Sequence, residues 1–285
     1  MSFETAANSS KTTQIMSDDL LSFMKFSSPT SSSTKCYLDE DYSDLEKRYA
    51  SVQTYVKQIA TGMIHSLIVN GPAGVGKTHS VESYLNQYAK GRYKIVKGHM
   101  TPLSLYGNLF FHRDPNNILV LDDIDSVFKK IEGVNLLKAA MDTGKVRRIN
   151  WESSNALKGV GIPDSFEFKG NVILISNVCF SVAKKSSIHA HLDALKDRSF
   201  NIVVADSTKE SCFKQVCFMV LKKDMLAAFN LQQEQIFELL DYLKDHISEI
   251  EKISLRTAIK LAQLMCICPT NWRDMADSGL LNDLN

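Results

Sequence analysis

Residues Gly71 to Thr78, Gly-Pro-Ala-Gly-Val-Gly-Lys-Thr, constrain what this chain can fold into more than any other stretch. Gly71, four intervening residues and then Gly76-Lys77-Thr78 fit the pattern of a phosphate-binding loop. The glycines let the backbone turn its N–H groups inward and keep side chains away from phosphate oxygens. Lys77 is spaced to reach β- and γ-phosphates, and the Thr78 hydroxyl to ligate Mg²⁺. Pro72, Ala73, Gly74, Val75 and His79 complete the wall of the loop. The flanks fit the same reading. Met63 to Val69 is a short apolar run that predicts a strand, and Thr78 to Ala89 predicts a helix whose positive end faces the phosphates.

Such a unit needs further strands beside it, and the chain supplies them. Strands are expected at Tyr93–Val96, Asn117–Leu121, Asn171–Ser176 and Phe200–Val204. Helices are expected between them, over Thr101–Phe111, Ser126–Thr143 and Ser187–Lys196. That alternation predicts an α/β fold, a parallel sheet covered by helices on both faces. Before the loop, Leu45, Tyr49, Val52, Val56 and Ile59 recur at helical spacing. Beyond Ser207 only helical patterns follow, at Thr208–Phe229, Leu231–Ser248, Ile253–Cys266 and Asn271–Leu281. The expected organisation is a Ser/Thr-rich arm over residues 1–43, a nucleotide-binding α/β domain over 44–206 and a small all-helical lid over 207–285. Within the arm, Asp18 to Phe26 is an acidic-then-apolar island suited to a short amphipathic helix, docked on the protein itself or on a partner.

Composition narrows the function. A net charge of +1 leaves any polyanion contact to a local patch. No apolar run approaches the length that spans a bilayer, and no charged-then-apolar leader opens the chain. The six cysteines form neither a CxxC pair nor a zinc-type cluster, which suits free thiols in a reducing compartment.

A second chemical signal is Asn116 to Ser126, NNILVLDDIDS. Its apolar run delivers Asp122 and Asp123 to the tip of a buried strand, the end where ligands sit in open α/β sheets. Asp122 is expected to hold Mg²⁺ through water, and Asp123 to orient or deprotonate the attacking water.

Taken together, residues 45 to 280 resemble the AAA+ ATPases. The strand Asn171–Asn177 looks like that family's strand ending in a polar sensor, here Asn177. The segment DALKDRS looks like the one bearing the arginine finger, Arg198, which completes a neighbouring subunit's site. SLRTAIKLAQL looks like the lid motif whose arginine, Arg256, contacts phosphates of its own subunit. The resemblance implies ATP and Mg²⁺ as cofactors and a homo-oligomeric ring, a hexamer. One position departs from the pattern: the family usually has Glu where this chain has Asp123. The shorter side chain sets the carboxylate back by about 1.5 Å unless the backbone compensates, which leaves slow hydrolysis open.

What the energy moves is less defined. Ile149 with Trp151, and Phe166 with Phe168, form two period-two runs that predict a β-hairpin inserted at about 145–170. Lys145, Arg147, Arg148, Lys158 and Lys169 flank it. In ring-forming relatives this region faces the central channel, so Arg147, Arg148 and Trp151 are candidates to contact DNA or a protein polymer. A hairpin packed on its own domain with solvated charges is the alternative. HMTPLSLYGNLF, KVRRINW and IPDSFEF also look like segments of bacteriophage AAA+ ATPases, which implies the cytoplasm of an infected bacterium and phage DNA metabolism. Two functions stay open: an oligomeric ATPase that remodels or translocates a polymer, and a nucleotide-gated loader or switch with little turnover.

Overall fold

The computed structural model describes residues 37–151, 159, 161–177 and 193–281 of the 285-residue chain. The Asp18–Phe26 island, Lys158 and most of the helix expected over Ser187–Lys196 lie outside the described residues. The chain divides into two units, residues 1–40 and 41–285. The second carries everything described below.

It opens with α1, Ser43–Ala60, whose buried residues include Leu45, Tyr49, Val52, Val56 and Ile59, the helical stripe legible in the sequence. The strand β1 (Ser66–Asn70) leads through the glycine loop into α2 (Lys77–Tyr88). Then come β2 (Tyr93–Lys97), α3 (Pro102–Phe111) and β3 (Ile118–Asp122). The Thr101 hydroxyl caps α3 by accepting from the Ser104 N–H, with Pro102 in the first turn, as that sequence predicts. After α4 (Asp125–Phe128) and α5 (Ile131–Ala140), the chain forms β4 (Arg148–Asn150) and β5 (Ser165–Glu167), then β6 (Asn171–Ser176) and β7 (Phe200–Val203).

Five strands form one parallel sheet in the order β2-β3-β6-β1-β7. Strands β1, β3 and β6 are buried along their whole length, which is why they read as unbroken apolar runs. Ile68, Leu119, Leu121, Val172 and Leu174 pack with α3, α5 and the hairpin residues Ile149, Phe166 and Phe168 in one core. Helix α1 packs against α2, β1 and β7. The fold class read from the sequence therefore holds: a P-loop parallel sheet between helices, followed by a helical region. That region comprises α6 (Lys209–Lys223), a short 3₁₀ turn at Ala227–Phe229, α7 (Gln233–Asp245), α8 (Leu255–Ile267) and α9 (Trp272–Leu280).

Two expected helices are broken. The run Ser126–Thr143 splits into α4 and α5 at Lys130, whose backbone is extended. Gly133 permits the break, since a Cβ there would lie 2.7 Å from the Val127 carbonyl oxygen. The run Thr208–Phe229 stops at Asp224, which turns left-handed at φ 49° and returns its N–H to Met219.

The inserted hairpin is present as the antiparallel pair β4 and β5, but it corrects one assignment. Arg147 is buried, donating to the carbonyls of Ala140 and Gly170 at 2.8 Å each and lying over the Phe168 ring. Burial lowers its pKa to about 10. A guanidinium committed to two carbonyls under the hairpin has no face left for a polymer, so Arg147 is a structural residue. Arg148 is exposed, and Trp151 is partly buried beside Tyr106. None of the described cysteines is in a disulfide: Cys212 and Cys217 are buried, Cys268 is half-buried, and Cys266 is exposed. No helix among the described residues is long and apolar enough to cross a membrane.

Candidate functional site

The strand order explains the site. Because β6 lies between β3 and β1, the residue after β6 sits between the acidic tip of β3 and the loop after β1. That residue is Asn177. Its side-chain oxygen accepts from Lys77 Nζ at 2.7 Å, and its amide donates to Asp123 Oδ1 in a short hydrogen bond. Three residues from separate parts of the sequence are thus joined by one amide.

Lys77 is 6% exposed, and its ammonium also donates to the carbonyls of Gly71 at 2.8 Å and Pro72 at 2.7 Å. All three of its protons are engaged by its own loop and Asn177. Burial pulls its pKa down to about 8, with Asp123 and Asp122 acting in the opposite direction. Gly74 and Gly76 adopt φ of 80° and 90°, where a side chain is strained. A Cβ on Gly74 would lie 2.6 Å from Ser254 Cβ, and one on Gly76 at 2.6 Å from Met219 Cε. The loop is therefore pressed against the C-terminal helices, and Leu255 N–H donates to the Gly74 carbonyl at 2.8 Å. From behind, the Val75 carbonyl accepts from Tyr49 Oη at 2.8 Å and from Gln215 Nε2 at 3.2 Å.

The two carboxylates differ. Asp122 is buried; its Oδ2 accepts from Thr78 Oγ1 at 2.9 Å and lies 3.5 Å from Lys97 Nζ. Its Oδ1 is buried with no hydrogen-bond partner among the described residues. An orphaned anionic oxygen beside a threonine hydroxyl fits a hard divalent cation, taken directly or through its water. Asp123 is exposed and left-handed at φ 53°, with its N–H on the Ile175 carbonyl. The chain thus turns sharply at the residue where the sequence is one methylene short.

A cavity of about 170 Å³ is lined by Gly74, Gly76, Lys77, Thr78, His79, Asp122, Asp123, Asn177 and Arg256. Pro72 and Ala73 face a neighbouring cavity beside Lys252, and Gly71 another beside Asn70. Arg256, in the first turn of α8, is thus in reach of the loop, with Ser254 capping its helix. Of the expected site residues, only Arg198 lies away from this cluster. Its carbonyl accepts from Ser66 Oγ at the start of β1, at the sheet end opposite the loop. The strand β1 separates the two ends by about 13 Å at ~3.3 Å per residue. Its guanidinium donates to Ala194 O and lies 3.5 Å from Asp142.

Sequence reasoning missed Tyr49, Gln215, Ser254 and Lys97. Tyr49 reads as one more apolar position of a stripe, and Gln215 as a surface residue, although it is fully buried. Lys97 had a usable signal, since it ends the strand beside β3 and pairs in register with Asp122.

No protein-family model matches the chain. It is 32% identical over 256 residues to an uncharacterized 36.7 kDa protein from the nrdC–mobD intergenic region of Enterobacteria phage T4, covering 86% of this chain and 78% of that protein. Among solved structures, the Thermotoga maritima RuvB Holliday junction branch migration motor matches with a TM-score of 0.46 and 10% identity, over 84% of this chain and 69% of that one. The replication initiator DnaA bound to AMPPCP and single-stranded DNA matches with a TM-score of 0.44 and 14% identity, over 78% and 62%.

Proposed function

The chain belongs to the family of the uncharacterized 36.7 kDa protein of phage T4, and from that premise and the site it builds we propose an ATPase of the AAA+ type, working as a homo-oligomeric ring to remodel or translocate a macromolecular partner. The reading extends to phage DNA metabolism in the host cytoplasm; the relative encoded by phage T4 supports the phage setting alone. One observation carries the proposal: a single cavity gathers Lys77, Thr78, Asp122, Asp123, Asn177 and Arg256, while Arg198 stands at the opposite end of the sheet.

ATP with Mg²⁺ supplies the phosphoryl group to be transferred and the charge that holds it in place. Lys77 exchanges its loop carbonyls and Asn177 for β- and γ-phosphate oxygens. Thr78 and Asp122 hold the cation side, and Arg256 meets the phosphates from the lid. Released from Lys77, Asn177 keeps Asp123 aligned, and Asp123 takes the proton from the attacking water. Arg198 serves the neighbour's site, where its charge meets the charge developing on the phosphoryl group.

The nucleotide-gated loader is favoured by one specific feature, the engagement of the Asp123 carboxylate by Asn177, which ties up one of the two oxygens a base would turn toward water. ATP turnover with and without single-stranded DNA separates the two. A motor turns over steadily, faster with its polymer. ATP bound tightly with less than one turnover per site in either condition would establish the loader.

A further inference from the structure

The strand β4 has a free edge. Trp151 N–H donates to the Asp164 carbonyl, and Phe168 N–H to the Arg147 carbonyl, at 2.7 Å each. With Ile149 opposite Phe166 in register, residues 147, 149 and 151 are those that bond to the β5 side. The N–H and C=O groups of Arg148 and Asn150 therefore point the other way. No strand pairs with that edge among the described residues.

The edge opens on a groove of about 850 Å³. Its far wall is apolar, made by Pro102 and Leu103 at the start of α3 and by Leu136 and Ala139 of α5. The indole N–H of Trp151, on the near wall, is buried without a hydrogen-bond partner among the described residues. Two cations, Lys130 and Arg148, oppose one carboxylate, Glu132.

We propose that this groove binds an extended polypeptide of a partner protein, which adds as a strand to β4 and carries apolar residues alternating with carboxylates. An open strand edge offers alternating donors and acceptors, which a peptide backbone matches on both counts. A nucleic-acid backbone brings no donors for the two outward carbonyls and needs a run of cations, whereas the groove has a net charge of +1 from Lys130, Arg148 and Glu132. Alternate side chains of the added strand reach the apolar wall, and those between lie toward Arg148. The groove shares no residue with the phosphate cavity, so the proposal stands or falls apart from the ATPase reading.

The test uses the full chain with Trp272→Phe, which leaves Trp151 as the sole tryptophan. A synthetic peptide of alternating Glu and Val is titrated while Trp151 emission is followed. Saturable binding is expected. Asn150→Pro deletes an outward N–H without touching the β5 ladder and should weaken binding by about tenfold or more, as should Arg148→Glu. Asn150→Ala keeps the N–H and should bind as the parent does, and ATP affinity should be unchanged throughout. The proposal is overturned if the peptide does not bind, or if Asn150→Ala loses as much as Asn150→Pro. It also fails if Arg148→Glu binds normally, or if oligodeoxythymidylate rather than the peptide saturates the Trp151 signal.

Discussion

At Asp123 the backbone leaves its strand in the left-handed region, which Asp tolerates better than most residues with a Cβ. The turn, not side-chain length alone, sets where the carboxylate lies, and Asn177 already holds it there. Asp123→Asn should keep ATP binding and lose hydrolysis. Asp123→Glu should also slow hydrolysis, by about tenfold or more, because a longer side chain overshoots a position fitted to Asp. Single-turnover rates decide this, and a Glu variant as fast as the parent would mean that the short side chain limits chemistry. Lys77 carries a pH dependence. With its pKa lowered to about 8, the ammonium is charged below that pH and neutral above it. ATP affinity should therefore fall as pH rises through about 8, with proton uptake on binding, measurable by calorimetry in buffers of different ionisation enthalpy. The sign for stability is the opposite. A folded value below the unfolded one makes this group's contribution grow as pH rises from about 8 toward the ordinary 10.5. Lys77, Thr78 and Asp122 were legible in the sequence because each is fixed by a motif at a strand end. The Asn177 bridge was not, because it depends on β6 lying between β3 and β1, an order that alternation of elements does not specify.

The glycine loop is held from two sides by helices that a motif search passes over. Tyr49 of α1 and Gln215 of α6 both reach the Val75 carbonyl, and Gln215 also donates to Tyr49 Oη at 2.6 Å. Tyr49→Phe should cost about 1–2 kcal/mol in denaturant unfolding and weaken ATP binding, since it removes one buried donor and leaves Gln215 under-satisfied. Unchanged stability would mean that the loop is held by packing alone. Arg147 was misread for a related reason: a basic residue beside a turn looks solvated in sequence, and only the hairpin's fold-back over Phe168 buries it. Arg147→Ala should destabilise the protein by about 2–4 kcal/mol, since the carbonyls of Ala140 and Gly170 lose a charged donor. Urea unfolding would measure it, and a loss under about 0.5 kcal/mol would return Arg147 to the surface set. Helix limits were legible where a cap spelled them, as at Thr101, and not where Asp224 took a left-handed turn without a glycine.

The sheet sets the glycine loop and Arg198 at opposite ends of the same strand pair; in the proposed function a finger at Arg198 serves a neighbour, and the working unit is then more than one chain. Residue type alone did not locate Arg198; its distance from its own loop follows from the pairing of β1 with β7. Mixing two inactive variants tests the shared site. Lys77→Ala should fail to bind ATP, and Arg198→Ala should bind it nearly normally but hydrolyse it poorly. Co-assembled, they form interfaces at which an intact Lys77 loop meets an intact Arg198 from the adjacent subunit. The mixture should recover a fraction of the parent's ATPase activity, rising and then falling as the ratio is varied. Absence of recovery in demonstrably mixed oligomers, or full turnover by a strict monomer, would contradict a site completed between subunits.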